Sequence, residues 1–458
     1  MRRHSLVLLT CAVMALPATS ALALIAVGKA RPPTTPPQDA QGEIKIDPTA
    51  KAQPPIAADI YLPNRTTGIL VRQFNNALYP QFAQRNDNVF YSAYSLHTAL
   101  LMATQGAQGD TRKELQQVLL QGAELGAVET QNALKGLAKS LQAPSKDYTL
   151  AVANRIWVDQ RCTLLPAYVT DMEKIWAAGA QNVDFTQAPA AADTINTWVA
   201  GNTNQKITNL LTADVLKDAQ LVLTNAVYFK GKWAMPFAVA QTEKLDFTAP
   251  DGVVKVPMMY QKSMGIRYGV VVGRPEMGRA ALLRARNYEA RTALANTKII
   301  ELDYAGEQMT MRLALPPEGM KLADLNTIQM DIITTQPLRA SEVAVWLPRL
   351  KVEDKHSLKS ALTALGIKSA FTNTADFSGI TGKAELQISE VVQKTFLEVN
   401  EEGTEAAAAT GIIMAPTAMP MEPPKPLEFR ADRPYLLQII HRPTGAVLFT
   451  GRIVKPGV

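Results

Sequence analysis

Cysteine and histidine are scarce in this sequence. Its 458 residues contain two cysteines and four histidines. If the N-terminal segment described below is removed, Cys11 leaves with it and Cys162 remains alone, so no intrachain disulfide can form. The chain must then be held together by packing, which favours a large domain over a small disulfide-rich one. We interpret Cys162 as a buried or surface thiol, because no histidine stands beside a motif that would make it a nucleophile.

A strong charge of one sign is also missing. The formal net charge is +6, which is small for this length, and no basic stripe is interleaved with aromatic residues. Nucleic acid is therefore not a predicted partner. The sequence also lacks a Gly-x-Ser-x-Gly elbow, a Walker loop, a zinc motif and a dinucleotide fingerprint. We predict a protein that is not an enzyme and that uses neither a metal nor a cofactor.

The N-terminus has the pattern of a targeting segment. Arg2 and Arg3 precede the apolar stretch Leu6–Leu16, and Ala21–Ala23 offers a small-x-small cleavage site. These features predict a secretory signal peptide over residues 1–27, with an uncleaved N-terminal membrane anchor as the alternative. Either interpretation predicts a secreted, periplasmic or otherwise extracytoplasmic protein.

Proline dominates the next segment. Residues 28–56 include the run Arg31–Pro37 and three further prolines, which predicts an extended linker. From residue 57 to the end no second low-complexity break occurs, and hydrophobic residues make up 47% of the whole chain. We expect residues 57–458 to form one large domain.

Helical and strand patterns occupy different parts of that domain. Apolar residues recur at helical spacing in the first part, and apolar strand-like runs dominate later. A mostly helical beginning followed by many strands, without regular alternation, indicates the α+β class. The main predicted helices are Ser95–Ala103, Thr111–Leu120, Val128–Leu141 and Ala191–Ala200, and the main strands are Leu221–Phe229, Leu386–Val399, Tyr435–Ile440 and Ala446–Ile453.

An alanine-rich run, Asn400–Met419, contains conflicting signals. Its four consecutive alanines favour helix, but Gly403, Gly411 and Pro416 keep any helix short. The residues just before it read as a buried strand, which small uncharged residues could continue. We predict that this segment is a loop in one state and a strand in another.

Several motifs in the same order resemble the serpins, the serine protease inhibitor superfamily. The resemblance extends from about residue 57 to the end, and five motifs in the right order make accident implausible. The motifs are Asn88–Leu96, Thr224–Phe237, Leu365–Gly366 with Phe371 and Ala375–Gly379, Phe429–Tyr435, and Thr444–Gly451. The predicted leader makes the chain similar to bacterial-type exported members.

The resemblance implies three β-sheets, about nine helices and an exposed reactive-centre loop. It also implies a suicide-substrate mechanism, in which a target serine protease cleaves the loop, stays bound as a covalent acyl complex, and is carried along as the loop inserts into the central sheet. The protein is expected to be a monomer. The alternative is a non-inhibitory serpin that acts as a binding or carrier protein.

The hinge of the loop discriminates between these alternatives. In an inserted strand alternate side chains point to the core, so if Thr404 faces inward, Ala406, Ala408 and Thr410 do too. None carries a charge, whereas a buried unpaired charge there would cost several kcal/mol. This pattern favours an inhibitor. The predicted hinge comprises Glu401, Gly403, Thr404, Glu405, Ala406, Ala407, Ala408, Ala409 and Thr410.

Spacing from Gly403 by the family pattern puts the scissile bond between Thr417 and Ala418. Met414, Ala415 and Pro416 would then contribute to specificity. A small uncharged residue after Ala-Pro suits a shallow or hydrophobic specificity pocket, as in elastase-like or subtilisin-like enzymes. It does not suit a trypsin-like pocket, whose buried carboxylate needs Arg or Lys. Since the proline-rich stretch beyond is longer than usual, cleavage at Ala418, Met419 or Met414 stays open.

A polar group that controls sheet opening is the second predicted site. By resemblance it comprises Ser92, Ser95, Asn225, Gln393 and Trp233. Gln393 stands where many family members have a histidine. Glutamine can donate and accept hydrogen bonds but cannot titrate, so we predict no histidine-type pH gate at this position.

Residues 270–298 look like an insertion relative to the family. A solvated surface excursion is the simpler interpretation, and the alternative is binding to an anionic polymer or a membrane surface. Its charged residues are Arg274, Arg279, Arg284, Arg286, Arg291 and Lys298 against Glu276 and Glu289.

Overall fold

The start of the second helix shows how the sequence builds this fold locally. A computed structural model of the protein describes residues 62–122, 128–143, 145–176, 178–273, 288–404 and 426–457. Ser92 has an extended backbone, and its Oγ accepts a hydrogen bond from the backbone N–H of Ser95. This cap satisfies one of the free N–H groups at the helix start. The helix that follows is buried along almost its whole length.

Eleven α-helices occur in the described ranges. They are α1 Leu62–Leu78, α2 Ala93–Gly106, α3 Gly109–Leu120, α4 Val128–Gln142, α5 Pro166–Trp176, α6 Ala188–Asn202, α7 Ala213–Leu216, α8 Tyr288–Ala293, α9 Thr327–Thr335, α10 Lys359–Leu365 and α11 Ser378–Thr381. Two of them, α7 and α11, are single turns of four residues, so nine longer helices remain, as the resemblance implies. None of these helices is long and apolar enough to cross a membrane.

Fifteen strands accompany the helices in the same ranges. They are β1 Val89–Tyr91, β2 Tyr148–Asp159, β3 Gly179–Val183, β4 Leu221–Lys232, β5 Glu243–Ala249, β6 Gly252–Val270, β7 Lys298–Asp303, β8 Met309–Leu315, β9 Arg339–Pro348, β10 Leu350–Ser357, β11 Ile388–Asn400, β12 Gly403–Thr404, β13 Leu427–Arg430, β14 Tyr435–His441 and β15 Ala446–Ile453. The helices and strands predicted from the sequence are all present, with ends that differ by a few residues.

Six strands form one sheet, in the order β10-β11-β12-β4-β2-β3. Over most of its length β11 pairs directly with β4 in parallel, from Ile388 opposite Leu221 to Phe396 opposite Tyr228. Only at the far end does the two-residue strand β12 lie between them, antiparallel to both. The sheet is therefore closed along its middle and already separated at one end.

The other nine strands are connected by hydrogen bonds into a second sheet. It has two sections, one containing β1, β15, β14, β8 and β7, the other containing β5, β9 and β13. The 19-residue strand β6 joins the sections, and its pairing with β9 shifts register between Ser263 and Ile266. The resemblance implies three sheets, but the strand pairing gives two, because β6 joins two of the groups into one hydrogen-bonded sheet.

The core places α2 against the middle of the six-stranded sheet. Leu96 and Leu100 of α2 are buried in one apolar cluster with Leu223 of β4 and Val391 of β11. A second cluster packs the ends of β4 and β11 against the nine-stranded sheet. Residues 221–229 of β4 are all buried, as predicted for a strand covered on both faces.

Candidate functional site

A group of buried polar side chains crosses the middle of the six-stranded sheet. Gln393 of β11 lies directly opposite Asn225 of β4, and Asn225 lies opposite Asn154 of β2. Ser92 and Ser95 approach the same point from the start of α2. All five side chains are at most 5% exposed. We call these five residues the central polar cluster.

Asn225 makes the shortest contacts in the central polar cluster. Its Nδ2 donates to Ser95 Oγ and to Asn154 Oδ1, and its Oδ1 accepts from Gln393 Nε2. Asn154 also accepts from Ser95 Oγ at 3.0 Å and donates to the backbone oxygen of Ser95 at 3.1 Å. Both the nitrogen and the oxygen of the Asn225 side-chain amide are therefore hydrogen-bonded, as a buried amide requires.

Gln393 connects β11 to the beginning of α2. Its Oε1 accepts from the backbone N–H of Ser92 at 2.9 Å, and its Nε2 donates to the backbone oxygen of Ser92 at 2.9 Å. The Ser92 hydroxyl in turn donates to the backbone oxygen of Leu448 in β15, at 2.7 Å. The central polar cluster therefore ties β4, β11, α2 and the second sheet together through uncharged groups.

A histidine lies one strand away from this cluster. His356 of β10 is paired with Gln393 of β11, and its ring is buried. Its Nε2 is 3.0 Å from the backbone oxygen of Phe90 and 3.1 Å from Asp354 Oδ2, while Arg85 Nη1 is 3.2 Å from its Nδ1. The absence of a histidine-type pH gate at Gln393 stays a prediction.

The hinge segment, Glu401–Thr404, lies at the open end of the sheet. Gly403 pairs with Asn400 of β11 on one side and with Lys232 of β4 on the other. Its φ of +151° is in the range that favours glycine, and an added Cβ would lie 2.1 Å from the backbone oxygen of Gly231. Only glycine fits there, because β12 approaches the β4 backbone too closely for a side chain.

Thr404 points into the core from the same strand. It is fully buried, and its hydroxyl shares a hydrogen bond of 2.8 Å with the hydroxyl of Tyr304. Burial raises the pKa of Tyr304, an effect that the bond to Thr404 opposes, and the phenol stays neutral. Thr404 therefore faces inward, which is the condition for Ala406, Ala408 and Thr410 to face inward in an inserted strand. Those three residues lie outside the described ranges.

A charged contact fixes the base of the hinge segment. The Glu401 carboxylate is buried and accepts from Arg349 Nε at 2.8 Å and from the Thr242 hydroxyl at 2.6 Å. Burial alone would raise the pKa of Glu401, but the hydrogen bonds from Arg349 and Thr242 outweigh it and hold that pKa below its usual 4.5. Glu401 therefore stays charged at neutral pH and holds the hinge at this point.

Trp233 lies at the hinge segment and makes no hydrogen bond to the central polar cluster with which the resemblance grouped it. Its indole N–H donates to the backbone oxygen of Asn400 at 2.9 Å, and its backbone N–H donates to that of Glu402 at 2.8 Å. The ring stacks on Tyr304 with centroids 4.6 Å apart. Trp233 directly follows β4, the strand that contains Asn225, but it contacts the hinge end of the sheet and Asn225 lies in the middle.

The comparison with known families agrees with this geometry. Residues 70–456 match the family model described as "Serpin (serine protease inhibitor)". The chain belongs to the serpin family. The predicted α+β serpin fold is confirmed, and so is the prediction of a protease inhibitor family rather than an enzyme.

Two curated serpins illustrate how broad the similarity is. The leukocyte elastase inhibitor of Bos taurus is 35% identical over 381 residues, which cover 81% of this chain and 93% of that protein. An uncharacterized serpin-like protein of Thermococcus kodakarensis is 34% identical over 390 residues, covering 84% of this chain and 85% of that protein.

Solved structures extend the comparison to different functions. Serpin48 of the insect Tenebrio molitor, described as a highly specific serpin, has a TM-score of 0.73 at 30% identity and covers 86% of this chain and all of its own. Human thyroxine-binding globulin, solved with its hormone, has a TM-score of 0.73 at 26% identity, with 86% of this chain and all of its own covered.

Several predicted residues of this serpin lie outside the described ranges. They are Glu405, Ala406 to Ala409, Thr410, Met414, Ala415, Pro416, Thr417 and Ala418. Of the basic segment 270–298, residues 274–287 are likewise not described. Where it is described, Leu294 is fully buried, Arg291 bonds to the Gln336 side chain at 3.3 Å, and Lys298 begins β7.

The sequence reasoning missed four residues that complete these sites. They are Asn154, Thr242, Tyr304 and Arg349. Asn154 carried a usable signal, because it is an amide within the buried strand β2, the same pattern that drew attention to Asn225. Arg349 and Thr242 carried none, since each lies more than fifty positions from Glu401 along the chain.

Proposed function

We propose that this serpin is a suicide-substrate inhibitor of an extracellular serine protease with a small or hydrophobic specificity pocket. The observation that carries the proposal is the position of β12. Gly403 and Thr404 already pair with both β4 and β11. The alternate residues that follow are uncharged, and those up to Thr410 are small. The pairing of β12 with both strands supports insertion from this end of the sheet.

Strand pairing gives insertion a physical driving force. Residues 388–396 of β11 now pair with 221–228 of β4 in parallel. A strand continuing from Thr404 between them would be antiparallel to both, so one parallel ladder would be replaced by two antiparallel ladders. Parallel pairing is slightly weaker per residue, and the added strand brings its own hydrogen bonds. About 14 inserted residues would extend roughly 45–50 Å, enough to carry an attached protease across the domain.

The central polar cluster is the barrier in this proposal. Insertion must separate Gln393 from Asn225, whose side chains bond directly. Because both side chains are neutral amides, the inserted backbone can replace the lost hydrogen bonds without leaving a buried charge. Before cleavage, both ends of the loop are attached to the domain, and this attachment limits insertion. Cleavage frees one end, so the strand can insert and gain the pairing described above.

The reaction assigned to the loop is an acyl transfer. The protease serine attacks the carbonyl carbon of Thr417, the Thr417–Ala418 bond breaks, and the amine of Ala418 leaves as a new N-terminus. Met414, Ala415 and Pro416 contact the protease. The similarity to the bovine leukocyte elastase inhibitor supports an elastase-like target. The subtilisin-like alternative rests on the small residue at Thr417.

The proposed location follows from the first 56 residues. Residues 1–27 export the chain as a signal peptide or hold it as an anchor, and residues 28–56 are a spacer before the serpin domain of 57–458. The inhibitor acts as a monomer outside the cytoplasm. The basic segment 270–298 is proposed to contact an anionic polymer or membrane surface.

Incubation with pancreatic elastase, subtilisin, chymotrypsin and trypsin tests the proposal. We expect an SDS-resistant complex with elastase or subtilisin, and a released peptide that begins at Ala418. Thr404→Arg would force a guanidinium into the core beside Tyr304, so this variant should be cleaved without forming a complex. Thr404→Ser keeps the hydroxyl and should still form the complex.

Two results would contradict the proposal. Cleavage of the wild-type chain without any complex would favour the alternative, a non-inhibitory serpin with a binding or carrier role. A complex formed equally well by Thr404→Arg would show that burial of Thr404 is not required for trapping.

A further inference from the structure

Exposed apolar side chains gather around the two ends of the reactive-centre loop, which leaves β12 after Thr404 and enters β13 at Leu427. Eight large apolar side chains are exposed in the described ranges. Four of them are Met235, Val239, Met264 and Leu427, whose exposed fractions run from 42% to 79%. Grouping of this kind marks a contact with another molecule, whereas single exposed apolar residues need no explanation.

The segment 234–241 supplies most of this surface and is attached to the hinge segment. Its sequence, Ala-Met-Pro-Phe-Ala-Val-Ala-Gln, contains no charged residue, and every residue except Phe237 is exposed. The backbone N–H of Phe237 donates to the backbone oxygen of Glu401 at 2.8 Å, and the hydroxyl of Thr242, the next residue after the segment, donates to the Glu401 carboxylate. The exposed segment is therefore held at the base of the reactive-centre loop.

Met264 extends the surface toward the other end of the loop. The hydroxyl of its neighbour Ser263 contacts the sulfur of Met235 at 3.2 Å, which brings the two methionines together. Ser263 pairs with Val343 of β9, and Val343 pairs with Leu427 of β13. Since neighbouring strands lie about 4.8 Å apart, the backbone of Leu427 is roughly 10 Å from that of Ser263. We call the exposed residues of 234–241 together with Met264 the loop-base surface, because it lies between the two ends of the loop.

A cavity continues the loop-base surface. Its volume is about 330 Å³, and most of its lining side chains are apolar or aromatic. They are Ala240, Leu245, Met258, Tyr260 and Trp346, with Gln241 and Glu243. Arg430 of β13 lies over the Trp346 ring at 4.1 Å, so the cavity also adjoins the strand into which the loop returns. A concave apolar site beside an exposed apolar surface is suited to anchor one side chain of a partner.

The proposed scissile bond keeps a bound protease close to this surface. Thr417 is ten positions before Leu427, and ten extended residues reach at most about 35 Å. A protease domain of about 250 residues is roughly 45 Å across, from its radius of gyration. A protease that holds Thr417 in its active site therefore overhangs both ends of the loop, and the loop-base surface is a part of this chain that it faces.

We propose that the loop-base surface is a second contact site for the target protease, and that it receives an uncharged apolar patch of the protease outside the active-site cleft. One apolar side chain of that patch enters the cavity beside Trp346. The inference rests on the proposed inhibition and adds to it a determinant of which protease is captured. The reactive bond selects the specificity pocket, and the loop-base surface selects among proteases that share this pocket.

Two other occupants fit the loop-base surface less well. An interfacial membrane contact combines apolar residues with several lysines or arginines, and the segment 234–241 contains neither. A second copy of this chain seated here would occupy the side from which a protease approaches the loop, and would so prevent the proposed inhibition.

Rates of protease capture by variants of the full chain test the proposal. Val239→Glu places a carboxylate on the loop-base surface, where contact would remove its water without supplying a partner. We expect the second-order rate constant for capture of elastase or subtilisin, whichever wild type captures faster, to fall about tenfold. Because the first encounter is reversible before acylation, a weaker contact lowers the rate of capture. Val239→Ile keeps the surface apolar and should keep the wild-type rate.

Val253 provides a matched control away from the loop-base surface. It is 63% exposed, close to the 65% of Val239, and it pairs with Thr248 near the far end of β5. Val253→Glu adds the same charge at an equally exposed valine, and its capture rate should stay within about twofold of wild type. Met264→Glu is a second variant on the loop-base surface and should slow capture as Val239→Glu does. All these positions are exposed, so the variants should fold.

The outcomes separate this inference from the proposed inhibition. If wild type is cleaved without an SDS-resistant complex, inhibition is contradicted, and the rate of loop cleavage in the same variants still reports the contact. Equal rates for wild type, Val239→Glu and Val253→Glu, with the complex still formed, would overturn the second contact and leave inhibition in place. Loss of self-association, or of retention on phosphatidylcholine–phosphatidylglycerol vesicles, in Val239→Glu without a change in capture rate would assign the surface to a second copy or to a membrane instead.

Discussion

The middle and the hinge end of the β4–β11 pair are built from different chemistry. At the middle, Asn225 and Gln393 meet through neutral amides, and every partner is an uncharged group. At the hinge segment the strands are separated, and a buried carboxylate, Glu401, bonds to Arg349. Neutral hydrogen bonds can be exchanged for those of an incoming strand, whereas a buried ion pair cannot be broken cheaply. The middle is therefore suited to open, and the hinge end is suited to stay in place as the pivot.

Asn225→Asp should have the largest effect on this contrast. An aspartate there would put a buried charge against the oxygen atoms of Ser95 and Asn154, and we expect a loss of about 4 kcal/mol or more in the free energy of unfolding at neutral pH. Asn225→Ala only removes hydrogen bonds and should lose about 2 kcal/mol. Chemical denaturation of both variants measures the difference. Equal losses would mean that the neutrality of the cluster is unimportant.

Arg349→Met tests the pivot. It leaves the buried Glu401 carboxylate with the Thr242 hydroxyl as its remaining side-chain partner. We expect a loss of about 2 kcal/mol, below the range for a fully buried pair, because the Arg349 side chain is 39% exposed. Lys351→Met removes an exposed positive charge two positions later and should cost little. A similar loss in the two variants would contradict the assigned role of the ion pair.

Trp233→Phe should have a smaller effect, confined to the hinge end. The variant keeps an aromatic ring over Tyr304 but loses the hydrogen bond to the Asn400 oxygen, at a cost of about 1 kcal/mol. Hydrogen exchange should become faster at the amides of β12 and stay unchanged at the amide of Gln393. Faster exchange at both places would mean that the two ends are not separable.

Lowering the pH should destabilise the hinge end, and this is the smallest of the four expected effects. The folded state lowers the pKa of Glu401 below 4.5, so the stability that this group contributes is present above 4.5 and is lost as the pH falls through the lowered value. Thermal unfolding of wild type and Glu401→Gln from neutrality to about pH 3 measures this contribution, because the two profiles should differ in slope below the unfolded pKa.

Two buried histidines also contribute to the pH dependence of stability. Burial lowers the pKa of His97 and of His441 to about 4, so both destabilise the folded state as the pH falls below their unfolded value of about 6.5. They act equally in wild type and in Glu401→Gln. Parallel pH profiles of the two proteins would therefore show that Glu401 contributes nothing.

The sequence was sufficient for the features that depend on local pattern. The buried strand β4 follows from its apolar run, and the use of glycine at 403 follows from backbone sterics. From the sequence, the inward position of Thr404 was only a condition, and the structure supplies it. The family motifs placed Ser92, Ser95, Asn225 and Gln393 together, and the structure gives their contacts.

What could not be predicted depends on contacts distant in the chain. Trp233 was grouped with Asn225 because both belong to one motif. However, Trp233 follows the end of β4, eight positions after Asn225, so it lies at the hinge end while Asn225 lies in the middle of the sheet. The partners of Glu401 come from other parts of the fold, and no local pattern marks Arg349 as the residue that will meet it. Two groups of strands share β6, whose pairing with β9 shifts register between Ser263 and Ile266. No local pattern in the sequence marked that shift.

The pairing of β1 with β15 has a consequence for how this protein is made. Val89 pairs with Arg452, and the Ser92 hydroxyl bonds to the backbone oxygen of Leu448, so the beginning of the domain finds its partners more than 350 positions later in the chain. Contacts of such long sequence separation form slowly and leave apolar surface exposed to aggregation until they close. We expect α2 to be fully covered only once the β14–β15 hairpin has been synthesised.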